Sequence, residues 1–142
     1  MTAFADSSAL VKLYADEAHA QAVRRHRLLV VSAVARVEVP AALWRKSRTA
    51  ELSVDDASVL VQAFEADWTD PDRWMLPVRL APAVLVDAAR LTGVHRLRAY
   101  DAIQLACART ARDADPRVDA FLCFDDELRE AAVREGFTVA NW

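Results

Sequence analysis

Four carboxylates stand at positions where an alternation of strands and helices would bring them together. Asp6 ends a short apolar run, and Ser7 and Ser8 follow it; Asp125 ends the run AFLCF; Glu38 and Asp101 fall in early turns of helical patterns. In an open parallel sheet the carboxyl ends of the strands form the crevice where ligands sit, so acids there are aimed at a site. With ordinary pKa values near ~4, all four would be ionised at neutral pH and would repel one another unless a cation joined them. An oxygen-only cluster suits a hard ion, Mg²⁺ or Mn²⁺, and disfavours zinc. Such an ion activates a water and stabilises the charge that develops on a phosphodiester during in-line attack. Each acid also has a plainer use. Asp6, Asp125, Asp126 or Glu127 could cap a helix, Asp101 suits the start of a helix dipole, and Glu38 could pair with Arg36 or Arg45. A common rim explains all four at once, where capping needs four separate accounts.

The elements that would position these acids follow from hydrophobic period. After Asp6, Leu10, Leu13 and Tyr14 fall at helical spacing, with Ser7 available as the cap so that the carboxylate stays free. A second helical piece spans residues 16–27. LLVVS at 28–32 is a β-branched apolar run that suits a strand buried on both faces. Ser32 then caps a helix whose apolar stripe is Val34, Val37, Ala41 and Trp44, with Glu38 at its edge and Pro40 kinking it nearby. Ser53 opens a long helix with Val54, Ala57, Val61, Phe64 and Trp68 on one face. Residues 74–80 form a strand that Pro77 confines to an edge, and Pro82 starts a helix that runs to Gly93. From Ala99, small and apolar residues at 102, 103, 106 and 107 mark a helix buried along most of its length. Residues 120–124 and 137–139 are strands, joined by a helix that turns Leu128, Ala131 and Ala132 inward. Strands alternating with helices imply right-handed crossovers and a parallel sheet. The expectation is one three-layer α/β/α domain over residues 1–142, with about five strands.

Composition narrows the classes. The two glycines, Gly93 and Gly136, both read as C-terminal helix caps, so no glycine-rich loop cradles a dinucleotide or nucleoside triphosphate. Cys107 and Cys123 lie in apolar runs and suit inert buried thiols; His19, His26 and His95 form no metal-binding pair and read as solvated. No uncharged run is long enough for a membrane span or secretory segment, which makes the cytoplasm the expected address. The net charge of −3 argues against binding nucleic acid by bulk charge alone. Basic residues nevertheless concentrate in the first 50, among them Arg24, Arg25, His26, Arg27, Arg36, Arg45, Lys46 and Arg48, and could line the path of an anionic ligand.

The segments FADSSALVKLY, SAVARVEVPAAL, LRAYDAIQLACA and FLCFDDELREAAVREGF resemble, in order and approximate spacing, the four motif blocks of the PIN domain. More narrowly they are similar to the toxins of bacterial VapBC toxin-antitoxin pairs, and LRAYDAIQLA is the most specific block. The resemblance implies a Mg²⁺- or Mn²⁺-dependent ribonuclease whose acids are Asp6, Glu38, Asp101 and Asp125. Asp125 is preferred over Asp126, a secondary candidate, because the family's acid stands three residues before an apolar helix position, here Leu128. Ser7 and Ser8 match a small polar pair near the metal's water shell or the phosphate. Many relatives carry Thr or Ser two residues before the last acid; this chain has Cys123, which puts a secondary contact near the metal in doubt. The resemblance further implies cleavage to a 5′-phosphate and a 3′-hydroxyl, an RNA backbone held by the early basic residues, a cognate antitoxin lying over the crevice, and a homodimer. The helix from Ser53 to Trp68 is a candidate contact surface. The rival readings are a PIN-type RNA-processing nuclease outside a toxin pair, and a catalytically silent α/β binding module whose acids are caps.

Overall fold

The structure, a computed structural model of the chain, describes residues 2–142. Among these, five strands alternate with helices in the order β1 (Thr2–Ala5), α1 (Ser7–Tyr14), α2 (Ala20–Arg24), β2 (Leu28–Ser32), α3 (Ala35–Arg48), α4 (Val54–Thr69), β3 (Met75–Val78), α5 (Pro82–His95), α6 (Ala99–Ala114), β4 (Ala120–Leu122), α7 (Asp126–Arg134) and β5 (Thr138–Val139). All pairings are parallel, in the order β3-β2-β1-β4-β5. Pro77 sits on β3 at the sheet's edge, paired only with β2, where its missing N–H faces away from a ladder.

Alternation along the strands explains the three layers. Ala3, Ala5, Leu29, Val31 and Leu122 face one way and pack with Leu10, Val39, Leu43, Phe64 and Trp68 of α1, α3 and α4. Phe4, Val30 and Phe121 face the other way and pack with Val84, Leu91, Leu105 and Leu128 of α5, α6 and α7. Side chains of a strand point to opposite faces with period two, so each strand is apolar on both sides and must be covered on both. The sheet order reverses direction between β1 and β4, and the carboxyl ends of these two central strands therefore flank the topological switch point. Asp6 follows β1 directly, and its N–H donates to Leu122 O of β4 at 3.1 Å.

Several local expectations are corrected. The second helical piece shrinks to Ala20–Arg24; Asp16 and His19, both ahead of it, adopt left-handed backbone at φ 51° and 72°, which keeps a right-handed helix from starting earlier. In α3 the buried stripe is Ala35, Val39 and Leu43, while Val37 is 73% exposed. The expected stripe steps by three and four and the observed one by four, both helical spacings, so the helix is right and the phase is wrong. Ser32 is buried two residues ahead of the α3 cap; its hydroxyl accepts from Val34 N at 3.2 Å and from Cys107 Sγ at 3.3 Å. Gly136 has the expected left-handed φ of 86°, but Gly93 lies inside α5, whose left-handed cap is Arg96 at φ 55°. The helix gains by continuing to His95. That side chain, expected in solvent, is only 6% exposed, and its Nε2 meets Glu135 Oε1 at 2.8 Å. Glu135 also pairs with Arg109, which reaches Asp87, so one half-buried charge network ties α5, α6 and the end of α7.

Candidate functional site

The predicted acids gather at the carboxyl end of the sheet in two pairs. Asp6 is both the end of β1 and the N-cap of α1: its Oδ1 accepts from Ala9 N at 3.0 Å and from Ser8 Oγ at 2.6 Å. The cap is therefore the aspartate itself and not Ser7, and the carboxylate is not left free. Its Oδ2 takes only the Cys123 thiol, at 3.1 Å. Ser7 points instead to α3, donating to Glu38 Oε1 at 3.0 Å. Gln104 of α6, three residues beyond Asp101, donates from Nε2 to the same Glu38 oxygen at 2.7 Å and contacts Ser7 Oγ at 2.9 Å. Glu38 thus pairs with neither Arg36 nor Arg45; Arg36 goes to Glu65.

Asp101 and Asp125 form the second pair, bridged by Arg98, the N-cap residue of α6. Its Nε donates to Asp101 Oδ2 at 3.3 Å, and its Nη2 lies 3.6 Å from Asp125 Oδ2. Asp125 caps α7, its Oδ1 accepting from Leu128 N at 2.9 Å. Asp126 does not join the cluster. Its side chain is 96% exposed and pairs with Arg129 on the same helix. Cys123 is hydrogen-bonded on both sides: the thiol donates to Asp6 Oδ2 at 3.1 Å and its sulfur accepts from Asp125 N at 3.2 Å. Phe124 N donates to Ser8 Oγ at 2.9 Å, so the end of β4 is stitched to the start of α1 on both sides of Cys123.

Burial leads the electrostatics of the acids, and like charge adds to it. Burial pushes the Asp6 carboxyl up to about 6, against the pull of its hydrogen bonds from Ser8, Ala9 and Cys123, and the nearby Glu38 raises it further. Asp101 is also raised, first by burial and then by Asp125, with Arg98 acting in the opposite sense. Burial, followed by the charge of Asp6, raises the Cys123 thiol far above its usual range, so it stays protonated and serves as a donor.

Among the described residues, no three His, Cys, Asp or Glu side chains stand close enough to hold an ion as they are. The donor chemistry nonetheless fits a hard divalent cation. Asp6, Glu38 and Asp125 each spend one oxygen on a backbone or half-buried side-chain donor, and Asp101 spends one on the exposed Arg98. Among the described residues, Glu38 Oε2 and Asp101 Oδ1 take no hydrogen bond, while Asp6 Oδ2 takes only a thiol and Asp125 Oδ2 only an arginine. A hard cation would suit these oxygen donors.

Two features escaped the sequence reading. Gln104 was hidden within the apolar run IQLACA, where a lone amide at a buried helical position was the available signal. Arg98 was one of many exposed cations. Conversely, Arg24, Arg25, His26 and Arg27 precede β2 and so lie at the amino-terminal edge of the parallel sheet, away from the acids. Lys46 is tied to Glu17 and Glu51.

A parallel five-stranded sheet in this order, covered by helices on both faces, is a three-layer α/β/α, PIN-like fold. Solved structures with this fold include VapC20 of Mycobacterium tuberculosis, a toxin that cleaves the sarcin-ricin loop (TM-score 0.66, 16% identity, covering 97% of both chains). PAE2754 of Pyrobaculum aerophilum matches with a TM-score of 0.66 at 18% identity, over 98% of this chain and 83% of that one. A toxin-antitoxin complex from Klebsiella pneumoniae matches with a TM-score of 0.62 at 16% identity, over 87% and 86%. No protein-family model matches the chain, and no curated protein matches it in sequence. Among the described residues no helix is long and apolar enough to cross a membrane.

Proposed function

We propose that this chain is a Mg²⁺- or Mn²⁺-dependent endoribonuclease, the toxin of a type II toxin-antitoxin pair. What supports the reading is that two pairs of acids, Asp6 with Glu38 and Asp101 with Asp125, stand at the carboxyl end of the sheet in a fold shared with two proteins described as a toxin or a toxin-antitoxin complex. Asp6, Glu38 and Asp101 would hold the first ion, directly or through water, and Asp125 would complete the site or help hold a second. A bound ion would supply the positive charge that stabilises the attacked phosphate and lowers the pKa of a water. Ser8 and the α1 backbone orient Asp6, and Ser7 with Gln104 orients Glu38. RNA would be the substrate, an antitoxin segment would lie over the acids, and the chain would pair with a second copy. The reading is tested by incubating purified protein with RNA and Mg²⁺ or Mn²⁺. Cleavage that EDTA stops supports it. No cleavage with either ion, in protein freed of any co-expressed antitoxin, leaves the acids as caps of a silent binding module. An upstream open reading frame encoding a small protein that blocks cleavage separates a toxin from a stand-alone processing nuclease.

Arg98 should act as the cation that metal must displace. It already sits between Asp101 and Asp125, yet its side chain is 79% exposed, so the pair is a weak, solvent-screened one. Replacing it with alanine should tighten Mn²⁺ binding by about two- to fivefold, the scale of an exposed ion pair. Calorimetric titration of the metal-free protein measures this. Equal or weaker Mn²⁺ affinity in Arg98→Ala would exclude competition between arginine and metal.

A further inference from the structure

We infer that Gln104 is a positioning residue, which locks Glu38 with one oxygen tied inward and the other released to the site; this rests on the metal-dependent reading above. Gln104 is 2% exposed, in a stretch of α6 where every residue from Gln104 to Ala108 is buried. A primary amide in such surroundings needs partners for both ends, because each unmet polar atom keeps its desolvation cost. Only the nitrogen end is met. Nε2 donates to Glu38 Oε1 at 2.7 Å and to Ser7 Oγ at 2.9 Å, while Oε1 is buried without a partner.

The orientation of the amide follows from Glu38. An ionised carboxylate only accepts, so it must face the NH₂ group, and turning the amide over would set oxygen against oxygen. The carboxylate therefore fixes the amide at the expense of an orphaned Oε1. A residue placed for packing alone would be apolar there, and leucine would fill similar space without the orphan. In return Glu38 Oε1 receives two donors, Ser7 Oγ–H from α1 and Gln104 Nε2–H from α6. Three elements far apart in sequence are pinned at one oxygen, and Oε2 takes no hydrogen bond among the described residues.

A structural role and a positioning role predict opposite results for Gln104→Leu. If Gln104 mainly holds the fold together, the leucine protein melts earlier. If it positions Glu38, the leucine protein melts at the same temperature or higher, because the buried orphan is gone, while Mn²⁺ affinity measured by calorimetry falls about tenfold. The rate constant for RNA cleavage should fall about ten- to hundredfold with little change in KM, as is usual when a partner that orients a metal ligand is lost. The Glu38→Gln, Gln104→Leu double variant should bind Mn²⁺ no more weakly than Glu38→Gln alone, because both changes remove one interaction. Additive losses in the double variant overturn the inference, and so does a Gln104→Leu protein that binds Mn²⁺ and cleaves like the parent. If the parent protein itself neither binds Mn²⁺ nor cuts RNA, the metal-dependent reading fails first and the inference falls with it.

Discussion

Asp6→Asn should abolish RNA cleavage and, in the metal-free protein, raise stability at neutral pH. Both effects come from one buried charge. Asp6 is 5% exposed, its carboxyl is pushed up to about 6 chiefly by burial, and its counter-ion is not supplied by the protein. A carboxyl whose folded pKa lies above its unfolded value binds its proton more tightly when folded. Its contribution to stability is complete below the unfolded value of 3.8 and is lost as pH rises through about 6. At pH 8 the folded protein carries the whole penalty, on the order of 2 to 3 kcal/mol for a shift of this size. Asparagine removes the charge and keeps the geometry, since its oxygen can accept from Ser8 Oγ and Ala9 N while its amide faces Cys123 Sγ. Thermal melts in EDTA should therefore show Asp6→Asn above the parent at pH 8, with the gap closing towards pH 4. Cleavage in Mn²⁺ should drop about a hundredfold or more, the usual scale for losing a group that acts directly in the chemistry. Unchanged cleavage would remove Asp6 from the proposed mechanism; a parent protein that is the more stable at pH 8 would refute the buried-charge account.

The same residue shows how far sequence reasoning reaches. Strands were legible because each is a short apolar run, and in a doubly covered parallel sheet such runs need no alternation to be recognised. The places of Asp6 and Asp125 were legible because they end such runs, those of Glu38 and Asp101 because they fall in first turns of helices, and Asp125 differs from Asp126 by its cap bond to Leu128 N while its neighbour points to solvent. Helix phase was harder. Val34, Val37, Ala41 and Trp44 make as good a stripe as Ala35, Val39 and Leu43, and the choice is made by what the helix meets, namely the sheet on one side and Ser7 with Gln104 beside Glu38. Partners distant in sequence were the least visible. His95 and Glu135 are 40 positions apart, so nothing local marks that histidine as buried. The basic cluster at 24–27 was misplaced for the same reason, because its distance from the acids depends on which end of β2 it precedes.

The largest loss of stability should come from Phe121→Ala. Phe121 is fully buried at the middle of β4, stacked on Phe4 of β1 with ring centroids 5.3 Å apart and packed against Phe137 at 5.7 Å. It sits in one buried cluster with side chains of α5, α6 and α7. Truncation to alanine loses the buried ring and leaves a cavity, together about 3 to 5 kcal/mol. That is a large share of the total for a domain of this size. Urea unfolding should show a lower midpoint at unchanged slope, and Phe121→Leu should recover much of the loss because more of the volume is kept. A cost below about 1 kcal/mol would mean that this layer can collapse around the gap. β4 pairs with β1 and β5 and leads into both Cys123 and Asp125, so the strand that anchors the core also delivers the fourth acid. Mn²⁺ binding by the fraction of Phe121→Ala that remains folded separates the two roles: retained affinity shows that the rim is held by its own hydrogen bonds to α1, and lost affinity shows that the acids depend on the packing beneath them.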